Sequence, residues 1–502
     1  MTKDLKYVGR ITPRVDGPAL ARGKAVFTDD IDLPDLLHLK VLRSPHAHAR
    51  IKHIDTAPAL ALDGVVAVLT HADFTPHYYT TAGQGYPEPF PLDTLVLGDR
   101  VRYVGDRVAV VAAETPAIAA AAVRAIRVDY EQLPAVFDPE EALGGGVVIH
   151  PEDGPGGIHD AAHNIAAHLE AQVGDVDSEL NRAAHVFEGR YRTPYVQQAH
   201  LEPHVTITWL DENDRVVIRT ATQVPFHVRR IVAHVLDIPL SRIRVIKPRI
   251  GGGFGGKQEI ITEELCAAVT LKTGRPARLE LSRKEEFYAT RARHPQIVDL
   301  RIGMTAEGLI KAMDLSILEN CGAYGPHALT VMSVTALRVL SQYRTPHARA
   351  RAKAVYTNLP VAGAYRGYGA PQGCFALEVL LDEAAAELGI DPVELRRRNL
   401  LEAGDEVPIA LSLGEGREGY PMTIRSTGLR RCLDEGAELI GWEQPSQAPK
   451  NGTLRRGVGM AVATMGSGIA GIDMGSAFIK MNEDGSFNLP VGATDLGTGS
   501  DT

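Results

Sequence analysis

An α+β fold divided into several domains is what this sequence predicts, on three observations. At 502 residues the chain is too long for a single hydrophobic core. Strand-length apolar runs, Leu37 to Leu42, Val65 to Leu69 and Val108 to Ala113, stand beside an alanine-rich helical stretch from Pro116 to Ile126. Further on, the β-branched run Ile243-Arg244-Val245-Ile246 leads through a glycine-rich segment into a helical pattern from Ile260 to Thr273.

Taken in order, residues 1 to about 140 read as one compact α+β unit. Residues 151–165 are rich in Gly, Pro and Asp with little periodicity, which marks a linker. A second unit opens with the strand-like Ala184 to Tyr191 and continues through a hairpin around Glu212-Asn213-Asp214 and a helix from Val228 to Leu236. A helix is expected from Phe375 to Leu388. Another begins at Asp391-Pro392, with Asp as N-cap and Pro in the first turn, and runs to Leu400. A faint repeat relates Thr206 to Gln223 and Ala477 to Gly497: each reads strand, acidic turn, strand, then Ala-Thr. If these open two related halves, the second is unfinished at Thr502, so either the chain is a fragment or another polypeptide completes the domain.

Hydrophobic residues make up 44% of the chain and charged residues 23%, as in an ordinary globular protein. A formal charge of −9, without a Lys/Arg block, argues against a nucleic-acid partner. No window approaches ~18 uninterrupted apolar residues, and Met1-Thr2-Lys3-Asp4-Leu5 has no signal-peptide core or twin arginine. A cytoplasmic location is therefore expected. Cys266, Cys321, Cys374 and Cys432 are too dispersed for a CxxC zinc site or an iron–sulfur cluster. Cys266 and Cys374 read as buried free thiols.

Three motifs carry chemistry. In Ile250 to Glu259, five glycines fall within the six positions from Gly251 to Gly256. Such a run lets the backbone enter positive φ and lets another molecule approach the main chain, with successive N–H groups available to an anionic or oxo ligand. The spacing Gly251-x-Gly253-x-x-Gly256 meets the dinucleotide fingerprint, with Glu280 as the ribose-binding acid, but Lys247, Pro248 and Arg249 break the buried strand this needs. A P-loop reading fails at Gln258, where Ser or Thr should ligate Mg²⁺. The second motif, Gly363 to Gln372 after Asn358-Leu359-Pro360, sets Arg366 between Tyr365 and Tyr368: a fixed cation beside flat walls for a planar substrate. The third is the polar glycine turn Asp495 to Ser500. Gln223, between a strand and Pro225, gains weight only from this context.

Together, Gln223, Gly251 to Gly256, Arg366 to Gln372 and Gly497 to Gly499 resemble the molybdenum-binding large subunits of the xanthine dehydrogenase and aldehyde oxidase superfamily. The likeness runs over nearly the whole chain. Residues 1–145, with Arg10, Asp16-Gly17 and Gly23-Lys24-Ala25, resemble its α/β hammerhead domain. A linker at 146–165 follows, then residues 166–450 as a first molybdopterin-binding α+β domain and 451–502 as the start of a second. The resemblance implies that Gln223 lies near the apical oxo ligand of molybdenum. It sets Gly253, Phe254 and Gly255 against the metal's oxo and sulfido side. It brings the Arg366 backbone to the dithiolene, Tyr368 to the substrate ring, and Gly497, Thr498 and Gly499 to the pterin. None is a direct metal ligand, because the pterin dithiolene holds the molybdenum.

Three departures shape the expectation. Purine-oxidising members have glutamate directly after the loop lysine, where this chain has Gln258, with Glu259 one step later. Carbon monoxide dehydrogenases have a cysteine after the arginine, where this chain has Gly367. The family's general-base glutamate has no counterpart among these residues. The resemblance implies hydroxylation of a C–H of an N-heteroaromatic or aldehyde substrate with oxygen from water. Electrons would pass to [2Fe–2S] and FAD on a small iron–sulfur subunit and a medium flavin subunit. The cofactor is molybdopterin, with a cytosine dinucleotide form left open. Two alternatives stand: an aromatic acyl-CoA reductase of the 4-hydroxybenzoyl-CoA type, and a non-catalytic scaffold subunit.

Overall fold

The computed structural model describes residues 9–83, 89–151, 156–414, 418–443, 453–466 and 475–502. Contacts divide the chain into two compact units that interleave in sequence. One gathers Met1–Pro134, Gln197–Arg291 and Gly468–Thr502; the other gathers Ala135–Val196 and Ala292–Ser467.

The first unit is built on a seven-stranded mixed sheet. Its order is Ile243–Ile246, Val216–Thr220, Val205–Leu210, Ala277–Glu280, Leu37–Arg43, Arg107–Ala113, Val65–Leu69. Period-2 burial of Leu37, Leu39 and Val41 explains why the N-terminal run is a strand with one face in the core. The strand Leu37–Arg43 pairs parallel to Ala277–Glu280, so segments distant in sequence share one sheet. The helix Glu263–Thr273 is buried from Glu263 to Thr270. Thr206 Oγ1 bonds to Thr262 Oγ1 at 2.8 Å and Thr208 Oγ1 to Thr270 Oγ1 at 2.6 Å, which ties the helix to the sheet.

That helix starts at Glu263, not at the expected Ile260. The Glu263 carboxylate turns back to accept the N–H groups of Ile261 and Thr262, both at 3.0 Å, and ends the preceding extended segment. The glycine loop therefore does not open directly into the helix.

The second unit carries a five-stranded sheet ordered Ile165–Val173, His347–Tyr356, Ile310–Gly322, Gln296–Met304, His185–Arg192, with helices Ala328–Leu340 and Ala370–Leu388 packed against it. In His347–Tyr356 every second residue from Ala348 to Ala354 is an alanine in the core, while Arg349 and Arg351 face outward onto Asp314. The helix starts at Ala370, ahead of the expected Phe375, because Pro371 suits its first turn. The helix Pro392–Asn399 is capped as expected: Asp391 accepts from the N–H groups of Val393 and Glu394. Cys266, Cys321 and Cys374 are buried and Cys432 is exposed. Among the described residues no helix is long and apolar enough to cross a membrane.

Candidate functional site

The glycine loop leaves Ile243–Ile246 through Pro248 and is gripped by two side chains. Glu202 Oε2 accepts the N–H of Gly251 at 2.7 Å and the Lys257 ammonium at 2.7 Å, closing both ends of the loop with one carboxylate oxygen. Lys257 is 1% exposed, and burial lowers its pKa against the pull of Glu202. A lysine so committed does not reach for a phosphate, which disposes of the P-loop reading.

Gln223 grips from the other side. Its Oε1 accepts from the N–H groups of Gly255 at 3.1 Å and Lys257 at 3.3 Å, while its own N–H donates to the Lys257 carbonyl at 2.8 Å. Two donors on one amide oxygen fix which end of the carboxamide meets the loop, and the NH₂ end makes no hydrogen bond among the described residues. A Cβ at Gly253 would stand 2.5 Å from Gln223 Oε1, so only glycine admits this approach. Phe254 holds φ at 54° and is 50% exposed, a strained backbone that presents an aromatic ring to solvent.

Of the expected row of N–H donors, those of Gly252, Gly253 and Phe254 make no hydrogen bond among the described residues, while the rest of the loop's are spent. The N–H groups of Gly251, Gly255 and Lys257 are taken by Glu202 and Gln223, and those of Gly256 and Gln258 by loop carbonyls. Glu259 is buried, accepts from Thr81 Oγ1 at 2.6 Å and is ion-paired with Arg291.

Beneath the loop, His204 donates from both ring nitrogens, to Glu286 at 3.0 Å and to the Gly256 carbonyl at 3.0 Å. Burial works to raise the Glu286 pKa, but the charge and hydrogen bonds of His204 outweigh it and hold the carboxyl at about 2. Burial, with His204 next, pushes His200 down to about 4.

The turn Asp495 to Ser500 packs beside this region. Leu496 lies against Val205, Ala221 and Ile250, the residue that enters the glycine loop. Asp495 Oδ1 accepts the N–H groups of Gly497 at 2.7 Å and Gly499 at 3.3 Å, so the turn is closed on its own carboxylate. Burial acts to raise the Asp495 pKa, but these N–H groups and that of Asp501 keep it below the ordinary value. Gly251, Asp495 and Gly497 line one cavity of about 1160 Å³ whose wall carries seven cationic side chains against three carboxylates. Arg219, Arg244 and Lys247 are among those cations. Burial lowers the pKa of both Arg219 and Lys247, with Asp495 opposing it at the lysine.

The arginine loop belongs to the second unit and is held by a different chemistry. Arg293 donates to the carbonyls of Arg366 at 3.0 Å and Tyr368 at 3.1 Å, and to Gln372 Oε1 at 3.2 Å. Its guanidinium also stacks 4.0 Å from the Tyr365 ring centroid. Gly367 at φ 89° and Tyr368 at φ 51° form a left-handed pair that turns these carbonyls onto Arg293. Tyr368 is half-buried with its ring edge-on to His327 at 5.6 Å, and Arg366 points to solvent. No carboxylate among the described residues pairs with the Arg366 guanidinium.

Residues 22–134 match the family described as aldehyde oxidase and xanthine dehydrogenase, a/b hammerhead domain. Residues 158–400 and 435–502 match two families of molybdopterin cofactor-binding domain. The nicotinate dehydrogenase large molybdopterin subunit of Eubacterium barkeri is 32% identical over 88% of this chain and the whole of that subunit. The chain belongs to the xanthine dehydrogenase and aldehyde oxidase family of molybdenum hydroxylase large subunits. A probable hypoxanthine oxidase of Escherichia coli K12 is 38% identical over 99% of the chain, which spans 55% of that protein's length. The aldehyde oxidoreductase of Desulfovibrio gigas superposes with a TM-score of 0.82 at 26% identity, covering 97% of this chain and 53% of the other. The α+β architecture of a hammerhead followed by molybdopterin-binding domains is thus shown.

Sequence reasoning missed Glu202, His204 and Arg293. They define both loops' conformations, yet Leu201-Glu202-Pro203 and Arg293-His294-Pro295 carry no local pattern that distinguishes them from core or surface residues.

Proposed function

We propose that the chain is the molybdopterin-binding part of a molybdenum-dependent hydroxylase acting on an N-heteroaromatic C–H, with aldehydes second. When bound, the cofactor supplies the redox chemistry that adds a water-derived oxygen to carbon and removes two electrons. The protein's residues bind, orient and exclude water. The observation that carries this reading is the fixing of Gln223: its carbonyl oxygen is consumed by two loop N–H groups, which leaves its NH₂ donors uncommitted among the described residues. An oxygen ligand is what such donors complement.

In this reading Gln223, Gly253, Phe254 and Gly255 cradle the metal side of the cofactor, and Gly497, Thr498 and Gly499 its pterin. Arg366 and Tyr368 serve the dithiolene and the substrate ring. The cation-lined cavity suits the cofactor's phosphate, and a cytosine dinucleotide would use it further through Arg219, Arg244 and Lys247. The boundaries 1–145, 146–165, 166–450 and 451–502 belong to the same proposal, as does a cytoplasmic location. Iron–sulfur and flavin subunits would take the electrons.

Hypoxanthine and nicotinate, the compounds in two relatives' names, are N-heterocycles, which favours that class over acyl-CoA reduction. The test is to purify the chain with its co-expressed partners, measure molybdenum and pterin, and screen dye-coupled oxidation of azaarenes, purines and aldehydes. Stoichiometric molybdenum with azaarene or purine turnover supports the reading. An intact complex without molybdenum would establish a scaffold, and turnover by the isolated chain would refute the need for partners.

A further inference from the structure

We propose that His294, Glu319 and Cys321 form a second metal site, for a zinc-type divalent cation, buried in the core of the second unit. One nitrogen, one carboxylate oxygen and one thiol sulfur lie within 4.8 Å of one another, and all three residues are buried. Their elements explain the convergence. Glu319 and Cys321 end the long strand Ile310–Gly322, and His294 precedes the neighbouring strand Gln296–Met304, whose Gln296 pairs with Glu319 in register.

The second observation is an orphaned acceptor. Glu319 is fully buried; its Oε2 accepts from Gln296 Nε2 at 2.6 Å, but its Oε1 has no hydrogen-bond partner among the described residues. That Oε1 faces His294 Nε2 at 3.8 Å, too long for a hydrogen bond. A buried carboxylate oxygen without a partner is costly, whereas a cation between carboxylate, imidazole and thiol removes the cost. A tetrahedral zinc with bonds of about 2.0–2.3 Å holds its donors about 3.3–3.7 Å apart, so the 3.8 Å between Glu319 Oε1 and His294 Nε2 needs only a small rotamer adjustment. The charges also close: a thiolate and a carboxylate neutralise a divalent ion and leave no net charge in the core. The mixed S, N and O donor set selects zinc over magnesium or calcium.

The other buried trio, His200, His204 and Glu286, has equally close donors, but its carboxylate is satisfied: the backbone N–H and ring of His204 engage both Glu286 oxygens, where Glu319 Oε1 has no partner among the described residues. The contrast is what singles out the first trio. Its backbone also braces the arginine loop: the Cys321 carbonyl accepts from Ala362 N–H at 2.9 Å and the His294 carbonyl from Gln372 Nε2 at 3.1 Å. A metal there would stiffen both ends of the segment that carries Arg366 and Tyr368.

The site is enclosed, so it must load during folding. The full chain should be expressed in medium supplemented with zinc, and separately with cobalt, and its metal content measured after purification. Wild type and a Cys374→Ser control are expected to hold about one zinc per chain, with Cys321→Ser and the isosteric Glu319→Gln lower by about tenfold or more. Cobalt-grown wild type should show a thiolate-to-cobalt charge-transfer band in the near ultraviolet, absent from Cys321→Ser. Equal zinc in wild type and both variants, or a cobalt spectrum without the thiolate band, overturns the proposal. The cobalt spectrum of wild type needs no variant, so a misfolded Cys321→Ser protein does not blunt the test. Molybdenum content is read from the same samples, which separates failure of this site from failure of the molybdopterin reading.

Discussion

The two glycine-bearing loops solve the same problem with opposite polarity. The loop Gly251 to Lys257 is held by acceptors, Glu202 and Gln223, that capture its N–H groups. The loop around Arg366 is held by a donor, Arg293, that captures its carbonyls. In each loop a buried or half-buried side chain satisfies backbone groups that irregular structure would leave orphaned. What each then shows outward differs: an aromatic ring in the first, a guanidinium in the second. Preorganisation of this kind means binding need not bear the ordering cost of the loop.

If the acceptor-held loop depends on Glu202, removing that carboxylate should have the largest effect in either unit. Glu202→Ala leaves the Lys257 ammonium buried without its partner and frees the Gly251 N–H. A loss of about 3–5 kcal/mol is expected, read as a shift in the urea midpoint of unfolding. The double variant Glu202→Leu with Lys257→Met should recover much of it. A single variant with wild-type stability would show that the ion pair does not hold the loop.

Acid should attack the same loop from below. Glu286 is held at about 2 instead of 4.5, and His200 at about 4 instead of 6.5. For both, the unfolded chain binds more protons than the folded one as pH falls, so their stabilisation is complete above pH 6.5. It erodes first between pH 6.5 and 4 through His200, then between pH 4.5 and 2 through Glu286. Each gap corresponds to roughly 3 kcal/mol at most. Denaturation midpoints across pH 7 to 4 should therefore fall, and His200→Gln should flatten that limb. An unchanged profile in the variant would assign the acid sensitivity elsewhere.

The donor-held loop should be less costly to disturb. Arg293→Met removes charged hydrogen bonds to two carbonyls and the stack on Tyr365, but the loop lies partly open to water, which can replace them. A loss of about 2 kcal/mol is expected. Limited proteolysis should become faster near Arg366, because the loop carries the nearest exposed arginine. If Arg293→Met destabilised the protein more than Glu202→Ala, the ranking of acceptor over donor would be reversed.

Much of this was legible beforehand. The period-2 runs and the capped helix at Asp391 gave the elements, and glycine density located both loops, because positive φ and close approach demand a residue without Cβ wherever they occur. What gripped the loops was not legible. Glu202 lies 49 and 55 residues from its two partners, and Arg293 lies 73 and 75 residues from the carbonyls it bonds. A single charged residue has no periodicity, and only the completed sheets bring these partners together. The helix start at Glu263 was misjudged for a related reason. Ile260 and Ile261 have the apolar spacing of a helix, but the Glu263 carboxylate claims the N–H groups that would have continued it backward.

The smallest change in stability should accompany the sharpest change at the site. In Gly253→Ala the new methyl would meet Gln223 Oε1 at 2.5 Å, and this neighbour is the end of a side chain that can rotate away. Rotation forfeits the bonds from the Gly255 and Lys257 N–H groups, while Glu202 still closes the loop. The expected loss is about 1 kcal/mol, because the two bonds given up are neutral and long, 3.1 and 3.3 Å. The carboxamide, however, would no longer be fixed by the loop. Molybdenum content of the purified complex should then drop well below that of the wild type, although the unfolding midpoint scarcely moves. Gln223→Met, which removes the donors without adding a methyl at the loop, should reproduce the drop. If both variants kept full molybdenum and turnover, the orientation of Gln223 would be a matter of loop packing alone, and its part in holding the cofactor would have to be given up.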